Sequence, residues 1–167
     1  LWNVWTNLAS KPFAFEAPSA GFALDWGTLA RWKQRGIELA TITHAAGISS
    51  TGDADLDRRL PFDEPYIIPE YTANAITETK ERDRRVIAIG TTVVRALESA
   101  AATDGTVTAG HGVARGRIGP ETTLRVIDTV LTGMHEPGES HFELLRAFAA
   151  DPVLRSAHRT ATERRYR

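Results

Sequence analysis

Apolar positions recur along this chain in two periods, and the switches between them outline its elements. Leu24, Leu29 and Trp32 share one stripe, with Asp25 ahead as an N-cap and Gly36 behind as a terminator. That spacing predicts a helix over 25–35. Residues 37–43 alternate with β-branched side chains and read as a strand ending at His44. No clean period runs through 45–63, where Gly47, Gly52 and a Ser/Thr/Asp cluster mark a long loop, the kind that is usually functional or disordered. Residues 66–68 form a short extended piece. Pro69 then opens a helix to about Arg82, with Ala73, Ile76 and Lys80 at i, i+3, i+7.

The second half begins with Val86-Ile87-Ala88-Ile89, an apolar run typical of a strand covered on both faces, over 85–90. Thr91 or Thr92 caps the helix that follows, which carries Val93, Val94, Leu97 and Ala101. Residues 106–109 and 113–118, with Gly110 and Gly112 between them, read as a hairpin, and 124–131 as a further strand. Helices are predicted over 140–150 and 152–165, the latter with Asp151 as cap and Pro152 at N1. Ahead of all this, residues 1–18 are irregular, and Pro18-Ser19-Ala20-Gly21 is a tight turn. Strands alternating with helices imply an α/β domain with a mostly parallel sheet flanked by helices. Ligands of such sheets bind outside the carboxyl ends of the strands, so chemistry is expected after His44, Gly90 and Leu131.

Composition narrows the function classes. The 167 residues, 42% hydrophobic, suit one soluble domain with a real core. Twenty Lys and Arg against 21 Asp and Glu leave a net charge of −1, so nothing draws the whole molecule to nucleic acid or an anionic membrane. Charge is local: Arg155, Arg159, Arg164, Arg165 and Arg167 outnumber Asp151 and Glu163 in the last stretch, which reads as a solvated helix face or, more sharply, an RNA-contacting one. With no cysteine, disulfides, thiolate catalysis and cysteine zinc sites are excluded. No apolar run approaches the roughly 20 residues of a membrane span. The start, Leu1-Trp2-Asn3, has neither a signal peptide nor an initiating methionine, so the expectation is a cytoplasmic protein and a piece of something longer.

Three constellations could carry chemistry. In Ile89-Gly90-Thr91-Thr92, a strand-end glycine lets another group approach the backbone, and the threonines sit where unpaired helix amides attract an anion or polar ligand. Arg95 lies one turn in; a capped helix with an exposed Arg95–Glu98 or Arg95–Ser99 contact is the plainer account. Thr132-Gly133-Met134-His135-Glu136-Pro137-Gly138 places a histidine, which titrates near neutral pH, in a loop between strand and helix. His135 and His141 are poorly spaced for a metal. The third constellation joins Ser19 and Gly21 to His44. No Gly-x-Ser-x-Gly, Gly-x-Gly-x-x-Gly or phosphate-loop pattern occurs, which argues against a serine hydrolase, a simple dinucleotide oxidoreductase or an NTPase.

Taken in order, these segments resemble one family. Residues 85–100, Arg-Val-Ile-Ala-Ile-Gly-Thr-Thr-Val-Val-Arg-Ala-Leu-Glu-Ser-Ala, look like the signature of the S-adenosylmethionine:tRNA ribosyltransferase-isomerases of queuosine biosynthesis. Ala17-Pro18-Ser19-Ala20-Gly21 is similar to that family's Ala-Pro-Thr-Ala-Gly turn. Val126-Ile127-Asp128, Leu131-Thr132 and His135 are similar to its Leu-Thr-Asn-Phe-His segment, and Ala147-Phe148 and Tyr166-Arg167 to its closing helices. The match runs from about residue 14 to the end. It implies the C-terminal part of a two-domain protein, 1–167 forming a single α/β domain that lacks the family's inserted β-barrel domain. It also implies transfer and isomerisation of the ribosyl group of S-adenosylmethionine, as co-substrate with no resident cofactor, onto 7-aminomethyl-7-deazaguanine in tRNA to give epoxyqueuosine.

By the same resemblance His135 and Glu64 become the candidate catalytic residues. Ser19, Gly21, His44, Gly90, Thr91, Thr92, Arg95, Glu98 and Thr132 become the candidate substrate-binding ones. Three places depart from the family pattern. His-Val-Gly-Leu-Gly-Thr-Phe becomes His44-Ala45-Ala46-Gly47-Ile48-Ser49-Ser50. His-x-Met-His-x-Glu becomes Arg59-Leu60-Pro61-Phe62-Asp63-Glu64, and the Asn-Phe before the histidine becomes Gly133-Met134. These changes keep two alternatives open: a diverged paralogue acting on an adenosyl or other nucleoside small molecule, and a non-catalytic RNA-binding module.

Overall fold

A computed structural model describes residues 19–48 and 51–166, and the Leu1–Pro18 opening, including the Ala17-Pro18 part of the first motif, lies outside them. Among the described residues a 3-10 turn, Ser19–Ala23, leads into α1 (Trp26–Gln34) and the short strand β1 (Thr43–His44). Then come α2 (Ala54–Asp57), β2 (Glu64–Ile68), α3 (Glu70–Glu81), β3 (Ile87–Ile89) and α4 (Thr91–Ala100). The chain continues through β4 (Gly110–Ala114), β5 (Thr129–Leu131), α5 (Ser140–Leu145) and α6 (Asp151–Glu163). No described helix is long and apolar enough to cross a membrane.

The mixed α/β composition stands, but the expected mostly parallel sheet does not. There are two small sheets: an antiparallel one ordered β1-β2-β4 and a parallel pair, β3-β5. Burial explains the split. Along β2 the side chains of Glu64, Tyr66 and Ile68 are buried while Pro65 and Ile67 face out, the period-2 pattern of an antiparallel strand with one covered face. Among the described strands only β3 and β5 pair in parallel, and β3 is not covered on both faces as expected: Ala88 is buried while Ile87 is exposed.

The other departures have specific causes. The predicted 106–118 hairpin is absent, because Gly110–Ala114 pairs with β2 instead. Gly112 sits in that strand opposite Tyr66, and a Cβ there would collide with the tyrosine ring. Pairing of 37–43 is confined to Thr43, opposite Ile67, and His44, opposite Tyr66. The partner strand ends at Pro69, which has no N–H to give and caps α3. The 45–63 loop contains a short helix, since the Asp53 carboxylate accepts from the amides of Asp55 and Leu56. Residues 125–127 leave the expected strand because their amides bond the Glu98 carboxylate at 2.8–3.0 Å. The 140–150 helix is shorter than predicted, ending at Leu145.

Helix α4 is the pivot. It packs on strands of both sheets, with Val94, Ala96 and Leu97 buried among Tyr66, Ile68, Val126, Ile127 and Leu144. Its N-cap is Gly90, at φ +97°, and neither threonine caps it. Only a residue without a Cβ enters that left-handed region freely, so the chain turns from β3 into α4 within one residue. Asp128 fixes the start of β3 by accepting from the Val86 amide at 2.7 Å, and it pairs with Lys80 of α3 at 2.9 Å.

Candidate functional site

The carboxyl ends of β3 and β5 lie side by side, tied by the Gly90 amide donating to the Leu131 carbonyl at 2.8 Å. This junction, the β1 end and the Ser19–Ala23 turn enclose a cavity of about 270 Å³. The neighbours there stand at ordinary contact distances. A Cβ on Gly90 would lie 3.9 Å from that of Ala20, and one on Gly133 3.8 Å from the Ser19 hydroxyl.

Eight of the eleven candidate residues line this cavity: Ser19, His44, Glu64, Gly90, Thr91, Thr92, Thr132 and His135. They come from five separate stretches of chain, so the fold gathers what the sequence only lists in order. Thr91 is buried at the first position of α4. Across from it, the Thr132 hydroxyl and His135 Nε2 are hydrogen-bonded at 2.9 Å, which orients the imidazole. His44 is partly buried, and its Nδ1 has no hydrogen-bond partner among the described residues. Burial pulls its imidazole below the ordinary histidine range, so the ring is neutral at pH 7.

Gly21, Arg95 and Glu98 do not line this cavity. Gly21 is buried within the 3-10 turn, where it lets the turn pack. Arg95, read from sequence as exposed or facing a ligand, is buried at 3% exposure and pairs with neither Glu98 nor Ser99. Its Nη1 meets the Glu64 Oε2 at 2.6 Å. Its Nη2 donates to the carbonyls of Phe62 at 2.9 Å and of Ala114 and Gly116 at 3.3 Å. Burial lowers the guanidinium from its ordinary value, opposed by the Glu64 and Asp63 charges. Glu98 is spent on the amides of 125–127. Both residues belong to the frame behind the cavity.

Glu64 links frame and cavity. One carboxylate oxygen holds Arg95, and the other accepts the Gly47 amide at 2.9 Å, fixing the loop after β1. A residue that the sequence suggested only as a poorly spaced metal partner of His135 also stands at the wall. His141, near the start of α5, packs edge to face on His135 with ring centroids 4.9 Å apart. It lines both this cavity and a neighbouring one of about 890 Å³, as does Glu139. The larger space holds fewer of the candidates, Arg95 alone among the eleven, so the smaller is the candidate site. The two histidines are separated by Pro137 and a turn rather than by one helix or strand, so no element period brought their rings together.

Comparison with known proteins places this arrangement. A model of the family described as queuosine biosynthesis protein matches residues 4–167. An S-adenosylmethionine:tRNA ribosyltransferase-isomerase of Sorangium cellulosum is 42% identical over 97% of this chain and 45% of its own length. That of Cupriavidus metallidurans is 38% identical over 97% of this chain and 47% of its own length. A crystal structure of S-adenosylmethionine tRNA ribosyltransferase from Thermotoga maritima superposes with a TM-score of 0.70 at 28% identity, covering 89% of this chain and 48% of that one. The chain thus spans about half the length of the curated relatives it matches. With its ordered motifs gathered at one strand-end cavity and a family match over nearly its full length, the chain belongs to the queuosine biosynthesis protein family.

Proposed function

We propose that this chain contributes the S-adenosylmethionine-binding half of a tRNA ribosyltransferase-isomerase site, in which the ribosyl group of the co-substrate is passed to 7-aminomethyl-7-deazaguanine in tRNA and rearranged to epoxyqueuosine. The observation that carries the reading is the Thr132–His135 hydrogen bond at the mouth of the strand-end cavity, facing the amino end of α4. The first-turn amides of α4 at Thr91 and Thr92 and the positive end of the helix suit the carboxylate or ribose hydroxyls of the co-substrate. The hydroxyls of Ser19, Thr91, Thr92 and Thr132 add donors and acceptors, and Gly21 shapes the turn that closes them in. Neutral His44 offers its unpartnered nitrogen to a further polar group.

The reaction needs a base beside the sulfonium, whose positive charge acidifies the adjacent C–H, and an acid for departing adenine. His135, oriented through Thr132, carries a proton in this reading. Glu64 pairs with Arg95 and holds the Gly47 loop in place. Arg95 and Glu98 act on substrate only through the wall they support.

Adenine release from S-adenosylmethionine, measured with tRNA bearing the aminomethyl base, tests the reading. Release that depends on tRNA and falls about 100-fold or more in His135→Asn is expected. No release, with thermal stabilisation by adenosyl compounds in the absence of tRNA, would replace it with a nucleoside-binding role.

A further inference from the structure

We propose that His135 and His141 form one proton-holding unit at the wall between the two cavities, and that His141 is a second proton-carrying residue of the site. This rests on the reaction read above and goes one residue beyond it. The turn 136–139, closed by the Glu136 amide on the Glu139 carboxylate at 3.1 Å, brings the two imidazoles together. Their planes meet at 65° with centroids 4.9 Å apart. Thr132 holds His135 from the other side, toward the smaller cavity, whereas His141 faces both spaces.

Two imidazolium ions at this separation repel, whereas the positive edge of one protonated ring suits the face of a neutral one. The first proton is therefore taken more readily than the second, and the two steps belong to the pair rather than to either ring. In this reading the unit carries one proton, among the following charges. Glu139 lies in the shared wall, and Glu136 is 3.1 Å from His158 of α6. From the sheet side come Glu64, already paired with Arg95, and neutral His44. Asp57, Arg58, Arg117, Glu121 and Glu143 face the larger cavity, with Arg58 paired to Asp55 and Glu143 to Arg146.

One proton on two rings fits a reaction that needs a base and an acid together. His135, neutral, takes a proton from the carbon beside the sulfonium, and the C–H electron pair stays on that carbon. His141, protonated, gives its proton to the nitrogen of the departing base, whose bond to the ribose takes its electrons away with the base. The unit holds one proton before and after, moved from one ring to the other, and exchange with solvent through the larger cavity resets it.

NMR titration of the imidazole resonances in the full chain tests the pairing. Each of the two rings should titrate in two steps separated by more than one pH unit. His141→Phe, which keeps an aromatic ring against His135, should reduce His135 to a single step. Single-step curves in the parent chain, unchanged in His141→Phe and His141→Asn, would overturn the unit. In the adenine-release assay, both variants should lower kcat at least tenfold with little change in KM, and flatten one limb of the pH profile. Parent-like kcat in both would overturn the proton-carrying role. Absence of adenine release from the parent itself counts against the reaction read above, and the NMR titration then decides this inference alone.

Discussion

The rim of the cavity and the brace behind it are built from the same signature segment, yet they obey different physics. At the rim, Gly90, Thr91 and Thr92 line the cavity at the amino end of α4, and Thr132 and His135 line it as well. One turn further along α4, Arg95 is buried against Glu64 with three carbonyls on its remaining donors. Beyond that, Glu98 accepts three amides. Half-buried rim side chains such as Thr92 and Thr132 can be exchanged at little cost to the fold, because solvent or ligand satisfies whatever a substitution leaves. Brace groups cannot, because a buried charge left without its partner has nowhere to go. Polar residues a few positions apart thus face a cavity or a buried frame according to which turn of the helix they leave.

Substitutions can break this contrast, in descending order of effect. Arg95→Ala should destabilise the fold by about 3–5 kcal/mol, measured by denaturant unfolding, because Glu64 is left buried and charged. Replacing both, as Arg95→Met with Glu64→Leu, should recover much of that loss. If Arg95→Ala unfolds normally but loses ligand binding, Arg95 belongs to the rim. Glu98→Ala should cost about 2 kcal/mol, as the amides of buried Val126 and Ile127 lose their acceptor. Hydrogen exchange localised to 125–127 would report it.

Smaller effects are expected at the rim. Thr92→Val should move stability by no more than about 0.5 kcal/mol, yet weaken S-adenosylmethionine binding in calorimetric titration. A large loss of stability there would put Thr92 in the brace. The smallest effect is the pH dependence from His44. Its folded value lies below 6.5, so the unfolded chain binds the proton more readily. Stability is fully present above about pH 6.5 and declines as the pH falls through the lowered folded value. His44→Gln should flatten that decline in denaturant midpoints taken across the range, and an unchanged slope would show the ring to be solvated.

Much of this was legible in the order of residues. Asp25 as a cap was foreseen, and its carboxylate accepts the Thr28 amide at 2.5 Å. The helix after Pro69 and the strand–glycine–helix of residues 87–100 also follow from local period and punctuation, which act over one or two turns. Residues 106–118 were misread because glycine usually marks a turn, whereas Gly112 is in a strand to make room for the Tyr66 ring, 46 positions away. The partner of Arg95 was misread for a similar reason. Helical spacing offers Glu98 or Ser99, and nothing local points to Glu64, 31 positions earlier.

Sequence alone therefore determined the elements whose causes are local, and the family through motifs kept in a fixed order. Tertiary structure alone decided the pairing of β4 with β2, the division of one signature into rim and brace, and the meeting of His135 with His141. Those outcomes depend on which side chains share a buried volume, and burial sets the cost of every unpaired charge and amide. Sequence spacing carries no record of that volume until the chain has folded around it.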